Sequence, residues 1–408
     1  MNKIVSILKK NRKLLENFSA LTVVQGINII IPIFTLPYIL RVGGTDQYGV
    51  FVLATSLLIY LQGITDFGYV ITATRDVAFH RHNKKNLDFI CSKVITVQLF
   101  LFVICTFIFL ILLLVVPSFK EHSGIFILSF LMLFGYSIFP SWYFQGIEKM
   151  KYITIFSAGT RVAFTACIFI FIKERSDFYL YPLFNSLGYI VAGLYAQYII
   201  FTKFKFNIIW VGWRRIQNDL NQNFNVFVNQ FFPILYNNST TFILGTMVNN
   251  STLGLYGASK SIIEVAVKII SIISRVFFPH LNRNFSSFLK FKTLMICTGW
   301  FFFTIVCISS SYIVRYFHLS GEYAQIILCI LALGIPFTSM YSCYGTNYFL
   351  IKRKEALVMK NTIAASLIGF VLAFPLSYFF AGVGAAINVT LSRAIMGIGL
   401  WLKYRKAV

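Results

Sequence analysis

The chain contains twelve stretches of about twenty mostly apolar residues, separated by short segments that are alternately rich and poor in lysine and arginine. Coiled as a helix at roughly 1.5 Å per residue, a stretch of about twenty residues matches the hydrocarbon thickness of a bilayer. In hydrocarbon, backbone N–H and C=O groups must be satisfied internally, which for isolated runs of this length means helices. The expected fold class is therefore all-α, a polytopic membrane protein with 12 transmembrane helices. The spans are expected near 17–40, 49–71, 94–116, 124–146, 152–172, 179–201, 224–248, 254–278, 291–314, 323–350, 357–380 and 382–402. The split at Gly382, within AGVGAA, and the polar span 224–248 are the least marked of these. The composition excludes a soluble enzyme and a disordered chain. Hydrophobic residues make up 58% and charged residues 12%, about half the usual charged share of a soluble domain.

Charge tests this count. Basic residues are retained on the cytoplasmic side of a membrane. With both termini cytoplasmic, and with Lys292 and Lys360 at span ends counted as inner, 26 of the 36 Lys and Arg fall in inner segments, 5 in outer loops and 5 within spans. Including the acids, the net charge of +23 divides into +20 inside, 0 outside and +3 in the bilayer. The excess thus reports orientation, and no nucleic-acid partner is expected from it. The outer loops are too short for an extramembrane catalytic domain, so the chain is not expected to be an enzyme, and no nucleotide-binding P-loop occurs, so ATP is not expected to be the direct driver. The seven cysteines form no C-x-x-C pair and the five histidines show no zinc spacing, so neither metal nor cofactor is expected. The lysine-rich, then apolar N-terminus lacks a small-residue cleavage site and is expected to be retained. The longest inner loop, 202–223, carries Trp210, Trp213, Arg214 and Arg215, a set suited to a helix lying in the interface. Residues 1–16 have a similar character, with Ile4, Leu8 and Leu15 against Lys9, Lys10 and Lys13.

An internal repeat organises the chain. Asn17-Phe18 opens the first span and Asn223-Phe224 the seventh, and downstream GGTDQYG (43–49) and NNSTLGLYG (249–257) both turn into the next helix at Tyr-Gly. The offset is close to half the chain length. Six spans per half make the halves parallel repeats about an axis along the membrane normal. The expected organisation is an N-terminal six-helix lobe (1–201), a cytoplasmic amphipathic linker (202–223) and a C-terminal six-helix lobe (224–408), with a central cavity between the lobes.

Polar residues inside the spans are the candidates for function. Gln25, Asn28, Pro32 and Thr35 share one face of the first span, and Asn225, Asn229, Pro233, Asn237 and Thr241 follow an i, i+4 line on the seventh. Such stripes either glue helices together or line a cavity; their occurrence in matching spans favours the cavity. Lys260, Glu264 and Lys268 project from one face of the eighth span, with Arg275 below them. Arg161 lies in the fifth span and Arg393 in the twelfth. Intramembrane cations are costly and usually face a wet cavity, although Arg275 and Arg393 could also snorkel to the interface. Lys260 and Glu264 could neutralise each other and leave Lys268 for an anion. Asp66 and Glu264 are the two acids placed in spans and are candidates for coupling to a proton or a cation. Asp66 could instead cap the local backbone at TDFG (65–68). The candidate substrate-binding set is therefore Lys260, Lys268, Arg161, Arg275, Arg393, Gln25, Asn28, Asn229 and Asn237.

The stretches ENFSALTVVQGINIIIPIFTLPYILRVGG (16–44), TDFGYVITATRDVA (65–78) and YFQGIEKMKYITI (143–155) resemble the O-antigen and polysaccharide-unit flippases, the Wzx or RfbX family. Those belong to the multidrug/oligosaccharidyl-lipid/polysaccharide exporter superfamily. The resemblance is strongest over the first six spans; over 200–408 span pattern and length fit. It implies a V-shaped pair of six-helix lobes in the bacterial inner membrane. It also implies alternating access for a sugar repeat unit on undecaprenyl diphosphate, moved from the cytoplasmic to the periplasmic leaflet. A cationic lumen, with proton or sodium coupling, belongs to the same expectation. So do its partners: the lipid-linked oligosaccharide, membrane lipids, a polysaccharide polymerase and a chain-length regulator. The residues agree on one point independently, because a diphosphate with sugars cannot cross hydrocarbon unaided and a net-positive path lowers that barrier. Trp142, Tyr143 and Gln145 are candidates to meet the sugars, or else part of an interfacial aromatic belt. The alternative is a cation-coupled drug antiporter of the same superfamily, whose lumen should favour acids. A polysaccharide polymerase or glycosyltransferase would need larger outer loops.

Overall fold

The computed structural model describes residues 12–319 and 321–407, with the side chains of 12–22, 236, 237 and 407 left aside. Among the described residues the chain is helical apart from short connectors, and no strand occurs. The helices that carry the fold are α1 (Arg12–Asp66), α2 (Tyr69–Phe79), α3 (Lys84–Val115), α4 (Ser123–Ile138), α5 (Ser141–Gly146), α6 (Gly159–Phe171) and α7 (Leu180–Thr202). They continue with α8 (Trp213–Met247), α9 (Asn250–Arg283), α10 (Phe288–Ile308), α11 (Ala324–Met340) and α12 (Glu355–Ala407).

Eight helical runs among the described residues are long and apolar enough to cross a membrane. The two longest helices each break within their length. α1 leaves helical geometry at Gly44 (φ 79, ψ 169) and α12 at Ala381 (φ 46, ψ −128). Glycine tolerates a left-handed φ because it has no Cβ, which explains the first break. The second falls one residue before the glycine that marked it in the sequence. α8 and α9 are not among the eight runs, because they hold the amide stripe and the Lys260–Glu264–Lys268 line. Caps and prolines set several other ends. Asn83 accepts the Asn86 N–H at the start of α3, and Asn249 accepts the Thr252 N–H, 2.9 Å away, at the start of α9. Pro140 separates α4 from α5.

The described residues form two compact units. One combines the chain up to Ile31 with Ala54–Leu235; the other combines Pro32–Leu53 with the chain from Tyr236 onward. Two of the three division points fall beside or near prolines within helices, Pro32 in α1 and Pro233 in α8.

In the first unit a core of Tyr69, Val77, Val97, Phe144, Ala196 and Ile216 packs several helices together. Trp142 is 1% exposed and Tyr143 5%, both inside this core. They are therefore neither sugar-contacting residues nor belt residues, as the sequence had left open. Half-buried Gln145 sits beside them on α5. The connector into α8 is also docked here. Asn207 Nδ2 donates to Asp88 Oδ2 at 3.4 Å, and the Ile209 N–H donates to Ser92 Oγ at 2.8 Å. The interfacial helix expected around Trp210 and Trp213 begins only at Trp213. The residues before it are captured by α3 side chains in a non-helical path, with Trp210 90% exposed. The N-terminal stretch 1–16 lies outside the described residues except for its last five, which start α1.

In the second unit the two repeated turns meet each other. Thr45 Oγ1 and Ser251 Oγ lie 2.9 Å apart, and these residues are 206 positions apart in the chain. A Cβ placed on Gly49 would stand 1.8 Å from the Asn250 carbonyl oxygen, and one on Gly254 would stand 1.8 Å from that of Thr45. The backbones touch reciprocally, as they do at the axis of a symmetric dimer. A second pair of equivalent turns follows Tyr143-Phe144 and Tyr348-Phe349. Lys149 N donates to Phe144 O at 2.9 Å, and Lys354 N to Phe349 O at 2.9 Å. Glu148 (φ 58) and Arg353 (φ 55) hold the left-handed position that ends each helix in the same way. The same hydrogen bond and the same left-handed residue thus end a helix at two places in the chain.

Candidate functional site

Each unit holds its own cluster of polar and charged side chains. In the first unit, Arg161 on α6 donates from Nη1 to Asn28 Oδ1 on α1. Its guanidinium also lies 5.0 Å above the Tyr189 ring of α7. Tyr189 packs on Tyr136 of α4, with ring centroids 4.3 Å apart. Tyr136 in turn lies within electrostatic range of both Arg161 and Asp66. A cavity of about 200 Å³ opens beside Tyr136, with Thr55 and Gln62 among its polar lining. A second, narrow pocket runs along Arg161, Thr160, Asn185 and Tyr189. The arrangement is a fixed cation, aromatic faces and amides, groups that suit a polar, ring-bearing ligand.

Asp66 sits at the end of α1, where Phe67 (φ 40) and Gly68 (φ 79) turn the chain into α2. Gly68 occupies the cap position of α2 and no side chain caps it, so the capping role open to Asp66 is not used. Gln25 is half-buried on α1, and Asn229 is exposed on α8. Neither joins the Arg161 cluster through a described contact.

In the second unit, Arg393 of α12 forms a salt bridge from Nη2 to Glu264 Oε1 of α9. The side chains are 18% and 33% exposed. Arg393 is therefore held inside the unit rather than extended toward an interface. Lys260, one turn earlier on α9, donates from Nζ to Thr241 Oγ1 of α8 at 2.8 Å and lies 5.9 Å above the Tyr256 ring. The pairing of Lys260 with Glu264 considered from the sequence is replaced by one across 129 residues, Arg393 with Glu264. Helical spacing shows neighbours on one helix; it says nothing of a guanidinium arriving from another. Asn388 Nδ2, on the same helix as Arg393, donates to Thr240 Oγ1 at 2.8 Å and to the Gly369 carbonyl at 2.9 Å.

The remaining candidates lie elsewhere on α8 and α9. Lys268 is half-buried two turns along α9 from Lys260. Arg275 is exposed and donates to Ser271 Oγ of its own helix at 3.0 Å. Asn237 lies on α8, but its side chain falls outside those described. Among the described residues no group of His, Cys, Asp and Glu could hold a metal ion. Tyr136 and Tyr189 belong to the first cluster, and Tyr256 and Thr241 to the second. Of these only Thr241 was visible in the sequence, as the last member of the amide stripe.

A further cluster lies elsewhere in the first unit. Asp219, 4% exposed, accepts the Tyr69 hydroxyl at 2.5 Å and pairs with Lys93 Nζ. This holds the start of α8 onto α2 and α3.

Broken apolar helices that keep paired charges in their interior are the build of a multi-pass membrane carrier. Two solved structures share the fold. A multidrug resistance MATE family transporter of the MOP superfamily, in an inward-facing conformation, superposes with a TM-score of 0.67 at 13% identity, covering 93% of this chain and 94% of that one. The lipid II flippase MurJ, in an inward closed conformation, gives 0.68 at 15% identity, covering 96% of this chain and 87% of that one. The family model described as "Polysaccharide biosynthesis protein" matches residues 14–285, and the chain belongs to that family. Two relatives match nearly end to end, both named "Putative O-antigen transporter". The one from Escherichia coli (strain K12) is 28% identical over 391 residues, 93% of this chain and 94% of its own. The one from Shigella dysenteriae is 23% identical over 394 residues, 93% and 97% respectively.

Proposed function

We propose that this protein is a flippase that moves an undecaprenyl-diphosphate-linked oligosaccharide, an O-antigen or similar repeat unit, from the cytoplasmic to the periplasmic leaflet by alternating access. It works as a transporter in the bacterial inner membrane and has no catalytic site. Family membership and full-length relatives named as O-antigen transporters support the substrate class. The observation that carries the reading is the interior charge of the second unit, where two cations, Arg393 paired with Glu264 and Lys260 bonded to the neutral Thr241 hydroxyl, accompany one carboxylate. A lumen with an excess of cations suits a diphosphate and disfavours the cationic drugs of an antiporter.

The reading includes twelve spans with both termini cytoplasmic. The breaks at Gly44 and Ala381 divide two long runs, and α8 and α9 add two polar spans lining the path. It also includes two six-helix lobes, 1–201 and 224–408, joined by the linker 202–223. Arg161, Lys260, Lys268 and Arg393 contact the substrate; Gln25, Asn28, Asn229 and Asn237 bond its hydroxyls; Arg275 lies toward the entrance. Asp66 and Glu264 are the coupling candidates. A polymerase and a chain-length regulator act next on the product. The test is complementation in a strain lacking its own repeat-unit flippase. Restored surface polysaccharide supports the reading. Normal insertion without polysaccharide, together with drug efflux, favours the antiporter.

A further inference from the structure

The charge arrangement in the second unit has a chemical logic beyond general attraction. Glu264 projects from the same face of α9 as Lys260, one turn away, yet it bonds Arg393 of α12. Lys260 uses one of its three N–H donors on the neutral Thr241 hydroxyl. The group thus holds two cations, one carboxylate and a neutral hydroxyl. A guanidinium in a poorly hydrated interior needs an anion, because leaving it unpaired is costly. A site that must both take up and release an anion cannot keep two bare cations. A carboxylate on the protein can occupy the anion's place between rounds.

We propose that Glu264 is a stand-in anion: without substrate its carboxylate neutralises Arg393, and a diphosphate displaces it to bind Arg393 and Lys260 together. The planar guanidinium fork fits a phosphate's oxygens as well as a carboxylate's, and Lys260 supplies a point charge beside it. Competition from Glu264 keeps the diphosphate's affinity low enough for release, the balance any translocation site requires. The ligand class is a diphosphate group, and lipid-linked and free diphosphate share that chemistry. The inference rests on the transport reading above and assigns its anion-binding residues distinct roles.

The test measures binding to purified full-length protein in nanodiscs with three probes: undecaprenyl diphosphate, undecaprenol and inorganic pyrophosphate. Glu264→Gln keeps the shape and removes the competing charge. It is expected to bind undecaprenyl diphosphate roughly tenfold or more tightly than wild type and to leave undecaprenol unchanged. Arg393→Gln is expected to lose the diphosphate-dependent part of binding, in the wild-type and Glu264→Gln backgrounds alike. Tighter binding of inorganic pyrophosphate as well assigns recognition to the phosphates alone; tightening with the lipid probe only adds the chain to recognition. In both cases the stand-in role holds. Unchanged or weaker diphosphate binding by a folded Glu264→Gln protein overturns it. If that variant is poorly folded, Glu264→Ala and Glu264→Asp are measured. The shorter carboxylate should bind between wild type and Ala, and equal affinities in all three overturn the inference. Complementation by the wild type judges the transport reading separately, so the two can fail independently.

Discussion

Gly49→Ala is the sharpest perturbation of the fold. The added Cβ would stand 1.8 Å from the Asn250 carbonyl oxygen, 2.7 Å from its carbon and 2.9 Å from the Gly254 nitrogen. All three obstacles are backbone, so no side chain can swing aside. A carbon–oxygen contact relaxes at roughly 3.3 Å, so the two segments must part by about 1.5 Å. Overpacking of this kind costs about 1–3 kcal/mol, here toward the upper end. The parting also breaks the Thr45–Ser251 hydroxyl bond of 2.9 Å, worth about 1 kcal/mol. Alanine returns up to about 1 kcal/mol of helix propensity. The net loss is about 2–3 kcal/mol, a fall in Tm of roughly 5–10 °C at about 2–4 °C per kcal/mol. Thermal unfolding of the purified protein in detergent measures it. Gly26→Ala is the control, since no atom lies within 4 Å of its Cβ position; it should be neutral or slightly stabilising. Gly49→Ala with wild-type stability would refute the reciprocal backbone crossing.

Three further outcomes are expected. Arg393→Gln leaves Glu264 without its cation and should cost about 2–4 kcal/mol, discounted for partial hydration; adding Glu264→Gln should recover most of the loss in the same melting assay. Asp219→Asn strips Lys93 and Tyr69 of a buried carboxylate and should cost about 3 kcal/mol, with faster proteolysis of the connector at 203–212; wild-type proteolysis would show that the connector is held otherwise. Arg161→Ala and Lys268→Ala should each lower surface polysaccharide while inserting normally, and wild-type levels in both would remove the cationic path.

Much of the helical plan is legible in the sequence because hydrocarbon imposes a length and a composition. Gly44 was readable from GGTD, and Ala381 to within one residue of Gly382. Thr45 and Ser251 meet at the offset that Asn-Phe and Tyr-Gly had suggested. The equivalent turns after Phe144 and Phe349 were hidden, because QGIEK and LIKRK share little beyond hydrogen-bond geometry. The charged residues of the two clusters stood out in the sequence, and their pairings did not. A charge in an apolar run is conspicuous, but the Arg393–Glu264 bridge spans 129 residues and no spacing rule reaches that far. Trp142 and Tyr143 were ambiguous for a related reason. An aromatic residue at a membrane edge reads alike whether it meets lipid headgroups or, as here, the core beneath the α8 connector.

The central claim is movement of a lipid-linked sugar between leaflets. The direct measurement reconstitutes the protein in proteoliposomes with a fluorescent undecaprenyl-diphosphate oligosaccharide and follows its access to a membrane-impermeant quencher. Leaflet exchange well above protein-free vesicles, reduced in Arg393→Gln, is the outcome this account predicts. Exchange no faster than in protein-free vesicles, from protein that is folded and correctly inserted, would contradict it.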